Sequence, residues 1–243
     1  MLLSDLNAAS AEDFCAALDG VVERAPWVVA AAAAARPFAD PAALQKALMA
    51  AMVAAPVAQQ LAFLNAHEPL VAGPLPASLT AASRREQGDT PLGALVEPEV
   101  LARLNADYLM RFGFPFILCL RRHSSANVLR RLAARLQAPV EGEREEALAE
   151  IGHVIRLRLR DRLGGPPPAQ LGIVLDRPAT LRLALEETTL LEAALPTGRQ
   201  ALAPLRMGRW RLWIDGTPAE IWPEQAEADL WLDQPGLRAV TTR

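Results

Sequence analysis

The sequence predicts an α+β chain in two parts: an all-α helical bundle domain of about eight helices over residues 1–163, followed by a small β-sandwich over 169–243. Three observations carry this. Before residue 163, apolar residues recur at helical spacing, as in Leu148, Ile151, Ile155 and Leu159. The linker Gly164-Gly165-Pro166-Pro167-Pro168 (164–168) then closes the pattern, because two glycines end a helix and three prolines cannot continue one. Beyond it, short apolar runs alternate with turn residues at Pro178, Pro196-Thr197-Gly198, Asp215-Gly216 and Pro235-Gly236, which reads as strands.

The elements follow in order. Ser10 with Asp13 three residues on predicts a capped helix to about Glu23, broken by Pro26. The Ala-rich run Trp27–Ala35 predicts a helix packed on its neighbours, and it falls far short of the roughly 20 apolar residues that span a bilayer. Asp40 followed by Pro41 is a cap and a first-turn proline, opening a helix to about Val53. Further helices are expected over 56–66, from Thr80 to Gln87, and from Pro98 to before Gly113 with Leu101, Leu104, Tyr108 and Leu109 on one face. Ser124 or Ser125 caps another to Leu136, and the last runs over 142–163. Strands are expected over 171–175, 180–185, 190–195, 209–214, 228–232 and 237–241.

Composition excludes several classes. Of 243 residues, 51 % are hydrophobic and the net charge is −3. With a pI near 5.7 and no basic block, nucleic acid is not an expected partner. Cys15 and Cys119 cannot make a disulfide framework, which suits a reducing compartment. His67, His123 and His153 are too scattered to suggest a metal centre. Met1–Asp5 shows no basic and apolar leader, so the expectation is a cytoplasmic protein without a membrane partner. Basic charge is nearly all arginine, Lys46 being the sole lysine, and four of the five tryptophans lie in the last third.

Three stretches of the helical part carry residues suited to chemistry. His67-Glu68-Pro69-Leu70-Val71-Ala72-Gly73 puts an imidazole at a helix end, where it can move protons both ways near neutral pH. Ser83-Arg84-Arg85-Glu86-Gln87 sets a carboxylate beside a carboxamide, and a carboxylate can fix an imidazole's tautomer. Arg111-Phe112-Gly113-Phe114-Pro115-Phe116-Ile117 ends a helix in a rigid turn whose backbone amides can meet an oxygen. Taken singly, each stretch also reads as ordinary structure: a cap, a solvated helix face and a packed turn.

Together, and with Pro26-Trp27-Val28, Arg36-Pro37-Phe38, Leu104-Asn105, Tyr108 and Arg158-Leu159 in the same order, they resemble the OHCU decarboxylases, the 2-oxo-4-hydroxy-4-carboxy-5-ureidoimidazoline decarboxylases of urate breakdown. The resemblance covers residues 1–163. It implies an all-α, usually dimeric enzyme with no cofactor, converting OHCU to (S)-allantoin with loss of CO2. By resemblance, His67 is the catalytic histidine, with Glu86 orienting it and Gln87 on the substrate. Ser83 is a polar substrate contact, Phe116 and Ile117 offer main-chain groups to the ring, and Arg158 binds substrate. The taken-alone reading of Arg158 is a surface residue in an arginine-rich helix with Arg156, Arg160 and Arg162. One departure stands out. The family reads His-Pro-Asp/Glu-Leu-Ala-Gly, whereas here proline moves one place, to Pro69, and one extra residue precedes Gly73. Proline fixes φ, so the chain leaves the His67 helix differently.

The β part resembles, more weakly, the transthyretin-like fold of 5-hydroxyisourate hydrolase. The echoes are Ile173-Val174-Leu175-Asp176-Arg177-Pro178-Ala179, Thr197-Gly198-Arg199, Gly208-Arg209-Trp210-Arg211-Leu212, Trp222-Pro223-Glu224 and the ending Thr241-Thr242-Arg243. The hydrolases open His-Val-Leu-Asp and end Tyr-Arg-Gly-Ser. Here Ile173 stands at the histidine, the ending differs, and no histidine follows His153. A histidine-dependent hydrolase cannot run on these residues, so the β part is expected to be a silent relic serving stability or assembly. Two other readings stay open: a non-catalytic binding or scaffold protein in which both parts have decayed, and a bifunctional enzyme running both steps.

Overall fold

The computed structural model describes residues 1–165, 167–233 and, as backbone, 238–241. Among these it has nine α-helices, one 3-10 turn and eight strands. The expected Pro166, Pro235-Gly236, Leu237, Thr242 and Arg243 features lie outside the described residues. Two compact units are present: Met1–Cys119 with Arg131–Pro166, and Leu120–Arg130 with Pro167–Arg243.

The helical unit begins with α1 (Leu3–Ala8), which the sequence reading did not anticipate, and α2 (Ala11–Ala17). Ser10 caps α2 by accepting from the Asp13 amide at 3.0 Å. The helix stops at Ala17 rather than near Glu23; Gly20 (φ 76°) and Arg24 (φ 61°) take left-handed conformations that a helix cannot hold. α3 (Pro26–Ala33) starts on Pro26 at its first turn, so this proline opens a helix as well as closing the preceding stretch. α4 (Pro41–Ala54) is capped by Asp40, which accepts from Ala43 at 2.7 Å. α5 (Val57–Asn65), α6 (Ala81–Gly88) and α7 (Pro98–Phe112) follow.

The buried face of α7 is Leu101, Asn105, Tyr108 and Phe112, while Leu109 is exposed. The expected face was therefore rotated slightly: a strict i+3/i+4 walk from Leu101 passes through Asn105 to Tyr108 and Phe112. Asn105 tolerates burial because its amide donates to the Leu70 carbonyl at 2.8 Å. α8 (Ser125–Leu136) bridges the boundary in sequence, and α9 (Glu143–Leu163) buries Leu148, Ile151, Ile155 and Leu159 as predicted. No single helix among the described residues is long and apolar enough to cross a membrane.

The second unit holds β1 (Gln170–Leu175), β2 (Ala179–Leu185), β3 (Thr188–Leu195), β4 (Gly198–Pro204), β5 (Trp210–Ile214), β6 (Thr217–Ile221), β7 (Leu230–Asp233) and β8 (Arg238–Thr241). They form two four-stranded sheets, β4-β1-β7-β8 and β3-β2-β5-β6, with β1 and β7 parallel. Leu171, Ile173 and Leu175 from one sheet share a core with Leu181, Leu183, Trp210 and Leu212 from the other. β4 and β6 escaped the sequence reading because each adjoins turn residues, Pro196-Thr197-Gly198 and Asp215-Gly216. Pro218 is tolerated because, among the described residues, β6 is an edge strand pairing only with β5. In the same unit, Ser124 and Arg130 both donate to Glu186, at 2.6 and 2.8 Å, which ties Leu120–Arg130 to the β2–β3 turn.

Candidate active site

His67 sits just beyond α5. Its amide donates to the Leu64 carbonyl at 3.2 Å, and its Nδ1 lies 3.0 Å from the Phe63 carbonyl. A carbonyl only accepts, so Nδ1 carries the proton and Nε2 keeps its lone pair. The ring meets Phe63 edge-on, centroids 5.0 Å apart, and Trp27 meets Phe63 from another side at 6.4 Å. The imidazole is thus fixed by the last turn of α5 itself, upstream of the shifted Pro69. Burial pulls the His67 pKa below its ordinary 6.5; the Phe63 carbonyl and the Glu23 charge oppose this, and Arg158 adds to it.

α6 is capped by Thr80, which accepts from the Ser83 amide at 3.2 Å. That start sets Ser83, Glu86 and Gln87 at i, i+3 and i+4 on one side of a two-turn helix. Glu86 does not hydrogen-bond His67. Its carboxylate is taken by Arg158 of α9, Nε to Oε1 at 3.1 Å and Nη2 to Oε2 at 2.7 Å. The resemblance gave Glu86 the task of orienting the imidazole; here the Phe63 carbonyl holds Nδ1, and Glu86 orients the guanidinium. Gln87 lies next along α6, with its buried side-chain carbonyl oxygen lacking a hydrogen-bond partner among the described residues.

Arg158 is not a surface arginine. Its side chain is 9 % exposed, whereas Arg160 of the same helix pairs with the half-exposed Asp161. Besides Glu86, it donates through Nη1 to the Gly20 carbonyl at 3.0 Å and pairs with Glu23 at 3.2 Å. Glu23 also accepts from Ser83 Oγ at 2.6 Å and from Thr80 Oγ1. Sequence reasoning missed Glu23, because it stood as the last residue of an expected helix rather than in a turn. The signal available was Gly20 ahead of Pro26, which together mark a turn and bring a carboxylate out of helical register.

The structure places Phe116 and Ile117 in a different network. Gly113 (φ 80°) ends α7, and the rings of Phe112, Phe114 and Phe116 pack on Tyr108 at 4.6, 6.2 and 5.3 Å. The Ile117 carbonyl accepts from Arg135 Nη1 at 2.8 Å. Arg135 also donates through Nε to Glu143 at 2.7 Å and through Nη2 to the Tyr108 hydroxyl at 3.1 Å, and that hydroxyl donates to Glu143. Among the described residues, no hydrogen bond joins Phe116 or Ile117 to His67, Glu86 or Arg158. Neither do the described residues include a group of three or more His, Cys, Asp or Glu that could hold a metal ion.

A single-tautomer imidazole and a carboxylate–guanidinium–carboxylate cluster, carried by the helices of the first unit, can together hold and move a proton. The chain belongs to the OHCU decarboxylase family, whose model matches residues 7–160. It is 37 % identical over 169 residues to the 2-oxo-4-hydroxy-4-carboxy-5-ureidoimidazoline decarboxylase of Amia calva, covering 68 % of this chain and 97 % of that one. The Mus musculus protein of the same name is 37 % identical over 162 residues, covering 65 % and 91 %. The crystal structure of an (S)-allantoin synthase matches over the whole of both chains with TM-score 0.55 and 19 % identity, a likeness of fold that takes in both the helices and the sheets.

Proposed function

We propose that this chain is a carboxy-lyase that decarboxylates 2-oxo-4-hydroxy-4-carboxy-5-ureidoimidazoline to (S)-allantoin in urate degradation. The observation that carries the reading is the meeting of Ser83, Glu86, Arg158 and the charge around His67 within the segment that matches the family. Breaking the bond to CO2 leaves an electron pair that the substrate's own ring C=N accepts, so no cofactor is called for. One proton must then reach a single face of the ring. His67 Nε2, with Nδ1 committed to Phe63, takes the proton that the substrate's 4-hydroxyl gives up as it becomes a carbonyl and delivers it to that face, while a solvent proton goes to the ring nitrogen that took the electron pair. Arg158, pre-set by Glu86, presents its remaining Nη2–H to a substrate oxygen. The Gln87 carbonyl oxygen is an acceptor for a ureido or ring N–H.

Residues 1–163 carry this chemistry, 164–168 connect, and 169–243 serve stability or assembly. The active form is a cytoplasmic homodimer with a small-molecule substrate, which light scattering of the purified chain checks. The activity is tested by generating OHCU in place from urate with a uricase and a hydrolase. Added protein should accelerate the loss of OHCU; a rate equal to the spontaneous decay would reject the reading.

A further inference from the structure

We infer that Glu23 is a positioning residue of this site, holding Arg158 and Ser83 in place. The inference rests on the decarboxylase reading for its kinetic part and on geometry alone for the rest. Glu23 lies between α2 and α3, in the stretch bent by Gly20 and Arg24. Its side chain is 7 % exposed, and burial of a carboxylate at that level is costly unless every oxygen is engaged. Here both are. Oε1 faces Arg158 Nη1 at 3.2 Å and the Thr80 hydroxyl; Oε2 accepts from Ser83 Oγ at 2.6 Å.

Those contacts reach two helices, α6 and α9. Thr80 is the N-cap of α6, so Glu23 anchors the first turn of the helix that carries Ser83, Glu86 and Gln87. Arg158 is reached from the side opposite Glu86, and the two carboxylates with the Gly20 carbonyl take four of the five guanidinium N–H donors. The guanidinium therefore has one orientation and one donor left. The charged groups acting on His67 are Glu23 from the α2–α3 turn and Arg158 from α9, with Glu86 of α6 behind Arg158. Glu23 favours the imidazolium and Arg158 disfavours it, so removing the Glu23 charge leaves the imidazole harder to protonate.

The test compares wild type, Glu23→Gln and Glu23→Asp as full chains. Glutamine keeps the shape and loses the charge; aspartate keeps the charge and shortens the reach. Two readouts are taken: the pH profile of kcat/KM, and NMR titration of the three histidine rings, His67 being assigned with His67→Ala. Glu23→Gln should lower kcat/KM by about 10- to 100-fold, the range for groups that orient other site groups. It should also move the His67 titration to lower pH. Glu23→Asp should return the titration toward wild type while recovering only part of the rate. An unmoved His67 titration and an unchanged kcat/KM in a folded Glu23→Gln chain would overturn the inference. So would a titration moved as much by Glu23→Asp as by Glu23→Gln. If wild type itself lacks decarboxylase activity, the functional reading fails separately, and the NMR comparison still decides the electrostatic link between Glu23 and His67.

Discussion

Glu86 grips Arg158 through both carboxylate oxygens, at 3.1 and 2.7 Å, while the Phe63 carbonyl holds the His67 Nδ1 at 3.0 Å. The fork geometry needs a planar guanidinium, and lysine cannot reproduce it. Arg158→Lys should therefore lose about two orders of magnitude in kcat/KM while keeping its positive charge. Steady-state kinetics at fixed pH reads this. A lysine variant within a factor of a few of wild type would mean that only charge matters here.

The pH dependence of stability follows from His67. Its folded pKa lies below the ordinary 6.5 because of burial, so the unfolded chain binds the proton more readily. The contribution is fully present above about pH 6.5 and is lost as pH falls through the folded value. Chemical denaturation at pH 7.5 and pH 5 should show wild type losing more stability on acidification than His67→Ala. Equal losses would remove His67 from the account of acid sensitivity.

The Phe-Gly-Phe-Pro-Phe turn depends on Arg135. That side chain and Glu143 are each 5 % exposed and joined with the Tyr108 hydroxyl, whose pKa burial pushes up so that it stays a donor. Arg135→Met leaves Glu143 charged, buried and short of its partner, and should cost about 3–5 kcal/mol. Tyr108→Phe removes one hydrogen bond and should cost about 1–2 kcal/mol. Urea unfolding curves with unchanged m-values would check both.

In the β-unit, Ile173, which the resemblance to the hydrolases sets at their histidine, is fully buried between the sheets. Ile173→His in the full chain should destabilise the β-unit by about 2–4 kcal/mol, from lost apolar burial plus an imidazole without water. It should not confer 5-hydroxyisourate hydrolysis, and wild type should show none above the spontaneous rate. An absorbance assay of 5-hydroxyisourate decay decides this; hydrolysis by wild type would give the β-unit a catalytic role.

Much of the architecture was legible because its signals are local. Ser10 and Asp40 announce helix starts by side-chain caps, and each caps as read; Thr80, read as a helix start, is also a cap. The apolar register of α9 set the side of the helix from which Arg158 turns inward. What escaped was decided by long-range partners. Glu23 looks like a helix residue until Gly20 and Arg24 bend the chain toward Arg158, whose sequence position is 135 residues away. Likewise nothing local tells that the Ile117 carbonyl is claimed by Arg135, or that Phe63, one turn back, and not Glu86 holds the imidazole. β4 and β6 were lost because their turn residues outweighed short, half-buried pairing runs.

The proposed role of His67 is to deliver the proton that fixes the configuration of allantoin. OHCU is generated in place from urate, and the circular dichroism of the accumulating allantoin is followed with wild type and with His67→Ala. Wild type should give a rapid one-signed (S)-allantoin signal, and the variant only the slow, near-racemic background. A His67→Ala chain that yields (S)-allantoin at the wild-type rate would contradict it.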